Sequence, residues 1–178
     1  MIGYLNPPTK IIELGNTQKA ISINTANKMI DIIRESSYNP YIRKWAETII
    51  KNLPDRAEND EILSIYNFTK NHIRYVHDPE GMEYVQTPPY VLKQMEIGQI
   101  PMMDCDDYTV LSLSLLKSIG YRTALRLAGY KDKNIFSHVY GLVYKEKENK
   151  WLPFDAIRKD KWLGWEAPNA LVVADFEV

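Results

Sequence analysis

Apolar residues recur at helical spacing through the first third of the chain. Ala26, Met29, Ile30 and Ile33 follow the i, i+3, i+4, i+7 pattern of one helix face, and Asn24 or Thr25 is placed to cap it. Asn39-Pro40 supplies a cap and a favoured first helical residue for a second stripe, Ile42, Trp45, Ala46, Ile49 and Leu53, which Pro54 stops. Asp60 opens a third helix carrying Ile62, Ile65, Tyr66 and Thr69 on one side. These segments, about 20–72, predict a packed helical layer.

Beyond Asn71 the pattern shortens. His72-Ile73-Arg74-Tyr75-Val76 leans towards a strand, and His77-Asp78-Pro79-Glu80-Gly81 reads as a turn. Pro88-Pro89 precedes a helical piece from Tyr90 to Glu96, and Gly98 to Met103 reads as a loop. The stretch from Asp104 to Ile119 is apolar around most of a helical circumference and ends at Gly120, so it predicts a central helix covered on several sides. After Gly120 the period turns to two, and Tyr121 to Leu127, Phe136 to Tyr144, Lys150 to Ala156 and Leu171 to Phe176 predict strands. Helices first and strands later indicate an α+β fold, with an antiparallel sheet against the central helix. No repeat or linker interrupts the chain, so 1–178 is expected to be one domain, with a core about 71–156 and a final strand segment about 168–178.

Composition narrows the function classes. With 178 residues, 45% of them hydrophobic and 25% charged, the chain can bury a core without staples. The 22 Lys+Arg against 23 Asp+Glu leave a net charge of −1, with no basic stripe to neutralise phosphates, so nucleic-acid binding is not expected. No run approaches the ~18 apolar residues of a membrane span, and Met1 to Pro8 lacks a basic region followed by an apolar one. A cytoplasmic protein is expected, or a virion-borne one if phage-encoded. One cysteine excludes an intrachain disulfide and a cysteine-rich zinc site, and no acidic run has calcium-loop spacing, so neither metal nor cofactor is expected.

That cysteine sits in Asp104-Cys105-Asp106-Asp107-Tyr108. Asp104 is a good N-cap, and Asp107 could complete a capping box, which puts Cys105 in the first turn of the central helix. Unpaired N–H groups and the positive dipole end favour a thiolate there, and the same groups can stabilise an oxyanion. The three aspartates act against the thiolate, and a lone cysteine also fits the role of a small buried hydrophobe. Further on, Ser137 to Tyr144 and Trp151 to Asp155 form a hairpin pattern around the polar Lys145-Glu146-Lys147-Glu148. An even-length turn centred on Glu146-Lys147 pairs Tyr144 with Asn149 and sets His138 directly opposite Asp155. An aspartate so placed can fix the tautomer and orientation of a histidine base. Pro153 marks that strand as an edge or a bulge.

Asp104-Cys105-Asp106-Asp107-Tyr108 leading into an apolar helix, then Leu115 to Arg122, resembles the core of the transglutaminase-like superfamily. His138 opening a strand and Trp151-Leu152-Pro153-Phe154-Asp155-Ala156 closing the hairpin match its other two motifs, with Ile73 to Val76, Pro88 and Leu92 resembling its lead-in. The resemblance runs from about Asn71 to Ala156. It implies a transglutaminase-like, papain-like fold with Cys105 as nucleophile, His138 as general base and acid, and Asp155 as orienter. Met103 stands where the family usually has glycine before the Asp-Cys pair. The segment Tyr38 to Ala46, with Glu83 to Pro88, resembles the branch found in tailed-phage and prophage genes.

Three activities follow from that resemblance as expectations. A cysteine peptidase or amidase acting on a protein or peptide substrate leads, followed by a catalytically idle structural or interaction module and by a protein-glutamine transglutaminase. Gln86 and Gln99 are candidates for an oxyanion donor, Gln99 lying six residues before Cys105 as in papain-like peptidases. Both also read as ordinary loop residues. His72 and His77 have no third ligand partner in the pattern and read as surface residues.

Overall fold

The computed structural model describes residues 9–11, 18–78 and 84–178. The reading of Met1 to Pro8 and the Pro79–Gly81 part of the expected turn lie outside them, as does Glu83. The elements in chain order are β1 (Thr9–Ile11), α1 (Gln18–Ser37), α2 (Pro40–Ile50), α3 (Glu58–His72), β2 (Arg74–Tyr75), β3 (Tyr84–Gln86), α4 (Pro88–Glu96) and β4 (Met102–Met103). There follow α5 (Cys105–Ser118), β5 (Thr123–Gly129), β6 (His138–Lys145), β7 (Lys150–Phe154) and β8 (Val172–Glu177).

The helix boundaries follow local chemistry. Asn39 caps α2 by accepting the Tyr41 N–H at 2.9 Å, with Pro40 in the first turn. Asp104 caps α5, and Gly120 beyond its end has φ +101°, the left-handed conformation glycine adopts at no steric cost. The start of α1 differs from expectation: it begins at Gln18, so Asn24 and Thr25 lie inside the helix rather than at its cap. Its buried residues nevertheless include the whole predicted stripe, Ala26, Met29, Ile30 and Ile33, joined by Thr25, Ile32 and Ser36.

Every residue of α5 except Cys105 and Lys117 is buried, as its apolar circumference requires. Helices α1, α2, α3 and α4 pack on one side of it and β5 and β6 on the other. The sheet has strand order β7-β6-β5-β8, antiparallel throughout. Leu125, Leu127, Val139, Val143 and Phe154 join the main core with Leu111, Leu113 and Leu115 of α5, and Ala124, Ala128, Tyr140 and Leu142 form a second cluster on the outward face. Pro153, which has no N–H to donate, lies in edge strand β7 opposite Leu142. Two short pairings escaped the periodicity, β1 antiparallel to β3 and β2 parallel to β4. Among the described residues no helix is long and apolar enough to cross a membrane.

The hairpin register is two residues away from the expected one. Lys145 pairs with Lys150 and Tyr144 with Trp151, not Asn149. Asn149 has φ +50°, and asparagine tolerates the left-handed region better than most residues, so it belongs to the turn and the return strand starts at Lys150. A shift of two preserves which face each side chain occupies.

Candidate active site

Cys105 and His138 line one cavity of about 210 Å³, together with Ile21, Ser22, Thr25 and Met29 of α1 and with Leu127 and Phe136. The first turns of α1 thus form a wall of this cavity, which accounts for the helix extending past its apparent caps. His138 is the first residue of β6. Its Nε2 lies 2.8 Å from Oδ2 of Asp155, just past the end of β7. With the register observed, this is a diagonal contact across the hairpin rather than a directly opposed pair, still within reach of two long side chains.

Asp155 is buried and held from two further sides. Its Oδ1 accepts the Ile157 N–H at 3.3 Å, and its carbonyl accepts the Tyr66 hydroxyl at 3.3 Å. The bond to Asp155 uses Nε2 of His138, which leaves Nδ1 as the other ring position for chemistry. Cys105 is half-buried, and its thiol donates to Asp106 Oδ1 at 3.5 Å. Among the described hydrogen bonds none joins Cys105 to His138.

The electrostatics of the thiol run against the expectation drawn from the helix dipole. Burial pushes the Cys105 thiol well above its ordinary range, and Asp106 and Asp104 push it further. A hydrogen bond from the Val139 backbone acts the other way without reversing the balance. The dipole is also partly engaged. Asp104 Oδ1 takes the N–H groups of Asp106 and Asp107 at 3.1 and 3.5 Å, and its carbonyl takes that of Tyr108. Only the Cys105 N–H of the first turn stands outside this cap. Burial and the two aspartates therefore act together in favour of the protonated thiol.

Asp107 does not complete a capping box. Its Oδ1 accepts the Gln86 backbone N–H at 2.6 Å and its Oδ2 accepts Gln86 Nε2 at 2.9 Å. The same Nε2 also donates to the Met102 carbonyl at 2.8 Å. Both amide hydrogens of Gln86 therefore tie β3 and β4 to α5, and Gln86 is not among the residues that line the cavity. Gln99 is exposed and is not part of the cavity lining. His72 and His77 are exposed, bonded to the Phe68 carbonyl and the Tyr75 hydroxyl respectively.

Burial pushes the Asp107 carboxyl up to about 7, against the lowering effect of its Gln86 bonds. A carboxyl raised on folding favours the folded state most at low pH, and that contribution falls away as pH rises through its folded value. Wild-type stability should therefore decline between about pH 4 and 7 at up to about 1.4 kcal/mol per pH unit from this group. Asp107→Asn should flatten that segment of the profile, as read by urea unfolding across the range. An unchanged slope would remove Asp107 as its source.

One group among the described residues could hold a metal ion: ligand atoms of Asp104, Cys105 and Asp106 lie within 4.8 Å of one another. The sequence pattern had pointed to no metal site, because the spacing matches no calcium loop.

No protein-family model and no curated protein matches the chain. Solved structures do. A "Putative Cysteine Protease" from Cytophaga hutchinsonii aligns over 84% of this chain and 51% of its own at TM-score 0.52 and 14% identity. A "putative protease" from Parabacteroides distasonis aligns over 79% and 26% at TM-score 0.58 and 11% identity. Legionella pneumophila LapG in its calcium-bound form aligns over 82% and 80% at TM-score 0.51 and 18% identity. The chain thus spans about half of the first and a quarter of the second. The helices packed on a four-stranded antiparallel sheet give this chain an α+β fold shared with these solved structures.

Proposed function

We propose that the chain is a thiol-dependent acyl-transfer enzyme acting on amide bonds, most simply a cysteine peptidase or amidase with a protein or peptide substrate. The observation that carries this reading is the 2.8 Å bond between His138 Nε2 and buried Asp155, in a histidine that lines the same cavity as Cys105. With Asp155 accepting the Nε2 proton, Nδ1 is the basic nitrogen. It takes the thiol proton as sulfur attacks the carbonyl carbon, and gives it to the leaving amine as the carbon–nitrogen bond breaks. Water then adds to the thioester, and the acid leaves with the thiol restored. The raised thiol makes proton removal part of the attack rather than a resting ion pair. The Cys105 N–H, in the first turn of α5, is a backbone donor for the oxyanion.

An amine in place of water would make the same intermediate a transamidation, and an idle, virion-borne module is the competing reading from another class. Labelling with a thiol-reactive, amide-mimicking probe separates them. Wild type should label at Cys105, and His138→Ala should label at least 10²-fold more slowly. Equal rates in the two proteins would favour the idle module. Release of free acid against transfer to added amine then distinguishes hydrolysis from transamidation.

Calcium enters because one similar structure is the calcium-bound form of LapG. Asp104 and Asp106 bring hard carboxylate oxygens, the donors calcium takes, although they cover only part of its six to eight positions and the sulfur is a poor match. Bound there, a dication would offset the negative charge that helps to keep the thiol protonated. Iodoacetamide alkylation of Cys105 at neutral pH is therefore expected to accelerate severalfold with calcium and to fall back with EGTA. Identical rates would leave Asp104 and Asp106 without that role. The proposed acyl transfer does not pass through the ion.

A further inference from the structure

The outward face of the sheet carries one row of polar side chains across three strands. Asp175 of β8 is paired with Arg126 of β5, and Arg126 is paired with Tyr140 of β6, so all three project to the same side. Arg126 gives Nε and Nη2 to the two oxygens of Asp175 at 2.7 and 2.6 Å, a forked pair that fixes the guanidinium plane. Its Nη1 donates to Glu166 Oε1 at 2.6 Å, and the same oxygen accepts the Tyr140 hydroxyl. Burial and Glu166 hold the Tyr140 phenol far above its ordinary range, so the hydroxyl remains a donor. The ring of Tyr140, only 2% exposed, lies against the imidazole of His138, with centroids 5.4 Å apart and planes 28° from parallel.

A single hydrogen bond to Asp155 locates Nε2 but leaves the ring free to swing about that contact. A flat surface held at its far end supplies the missing constraint, the plane of the ring. We infer that Tyr140, anchored by Glu166 and Arg126, is a positioning residue for His138, setting the imidazole plane so that Nδ1 is presented to the cavity of Cys105. The inference rests on the acyl-transfer reading for its purpose, but ring orientation can be measured without turnover.

The test uses the ¹⁵N-labelled full chain and long-range ¹H–¹⁵N spectra of the histidine rings, with His138→Gln identifying the signals of His138. Wild type should show His138 as one tautomer protonated at Nε2. Tyr140→Phe keeps the ring but loses the hydroxyl that Glu166 holds, so it should move the ring signals in the same direction as Glu166→Ala, with labelling slowed by about threefold. Tyr140→Leu removes the platform and should shift and broaden the His138 ring signals, with the maximal labelling rate down about tenfold or more and probe affinity unchanged. Glu166→Ala frees the anchor at the partly exposed rim and should move the ring signals in the same direction. A folded Tyr140→Leu protein with wild-type His138 signals and rate overturns the inference. Should that variant not fold, Glu166→Ala decides alone, and wild-type ring signals there overturn it equally. Failure of the enzyme reading looks different, because wild type would then not label while the ring signals still distinguished the variants.

Discussion

Asp155→Asn should leave the protein folded while cutting probe labelling of Cys105 by about 10²–10⁴-fold. The two oxygens of Asp155 have different tasks, Oδ2 accepting from His138 Nε2 at 2.8 Å and Oδ1 accepting the Ile157 N–H at 3.3 Å. Asparagine has one acceptor oxygen. If that oxygen stays on Ile157, the amide nitrogen meets Nε2 as a donor and drives the ring proton to Nδ1, the position that must be basic. If the amide turns round, the His138 bond survives but two N–H groups confront each other at Ile157. The folded state otherwise keeps its packing and no longer buries a charge, so the loss should be moderate. In a chain of this size a moderate loss moves the unfolding midpoint by only a few degrees. Midpoint and labelling rate measured on one preparation decide the matter. A large fall in the midpoint with unchanged labelling would make Asp155 a hairpin residue and nothing more.

The His138–Asp155 contact was legible in the chain for a reason that tolerates error. The sequence pattern placed the two residues opposite each other, and the hairpin proved two residues out of register. Because side chains alternate across a strand, a slip of two keeps them on one face and turns an opposed pair into a diagonal one. A slip of one would have separated them. The ends of α5 were equally legible, since Asp104 and Gly120 solve local problems with local chemistry. The start of α1 was not, because Asn24 and Thr25 have cap chemistry while the turns before them are held by tertiary contact around the cavity. Strands of two or three residues such as β3 and β4 carry too few positions to show a period.

Long-range polar partnerships left no trace in the pattern at all. Asp107 reads as a capping residue until Gln86, twenty-one positions away, is brought against it. Glu166 lies in an irregular segment, and only the folded sheet brings it to Tyr140 and Arg126. The state of the thiol was open at the sequence level because the dipole and the aspartates oppose each other there. Burial acts on the side of the aspartates, and burial belongs to the fold.

Gly129→Ala should be among the most damaging single-methyl additions in the described sheet. A Cβ there would stand 2.1 Å from the Ile135 carbonyl oxygen and 2.8 Å from a Val172 methyl, and the first is main chain with no rotamer to yield. The loop after Gly129 crosses this close because it must return to the sheet at once: Ser137 donates its N–H to the Ala128 carbonyl at 2.9 Å, and His138 follows. On the other side Leu171 bonds the Gly129 carbonyl at 2.8 Å, so the strand end is pinned from both flanks. Accommodating the methyl means displacing the segment Ile135 to Ser137, whose last residues line the cavity. The expected cost is about 3 kcal/mol or more, a midpoint lowered by roughly 6–12 °C, accompanied by slower labelling of Cys105. Gly141→Ala makes the informative comparison, since the new Cβ would lie 2.7 Å from a Leu113 methyl on α5. That methyl ends a side chain that can shift, so the loss should be about 1–2 kcal/mol, at the lower end of the overpacking range. Thermal unfolding of the two variants beside wild type gives the order directly. Gly141→Ala proving the more destabilising would mean that the loop at Ile135 is free to move, and that the approach of His138 to the cavity is not set by the end of β5.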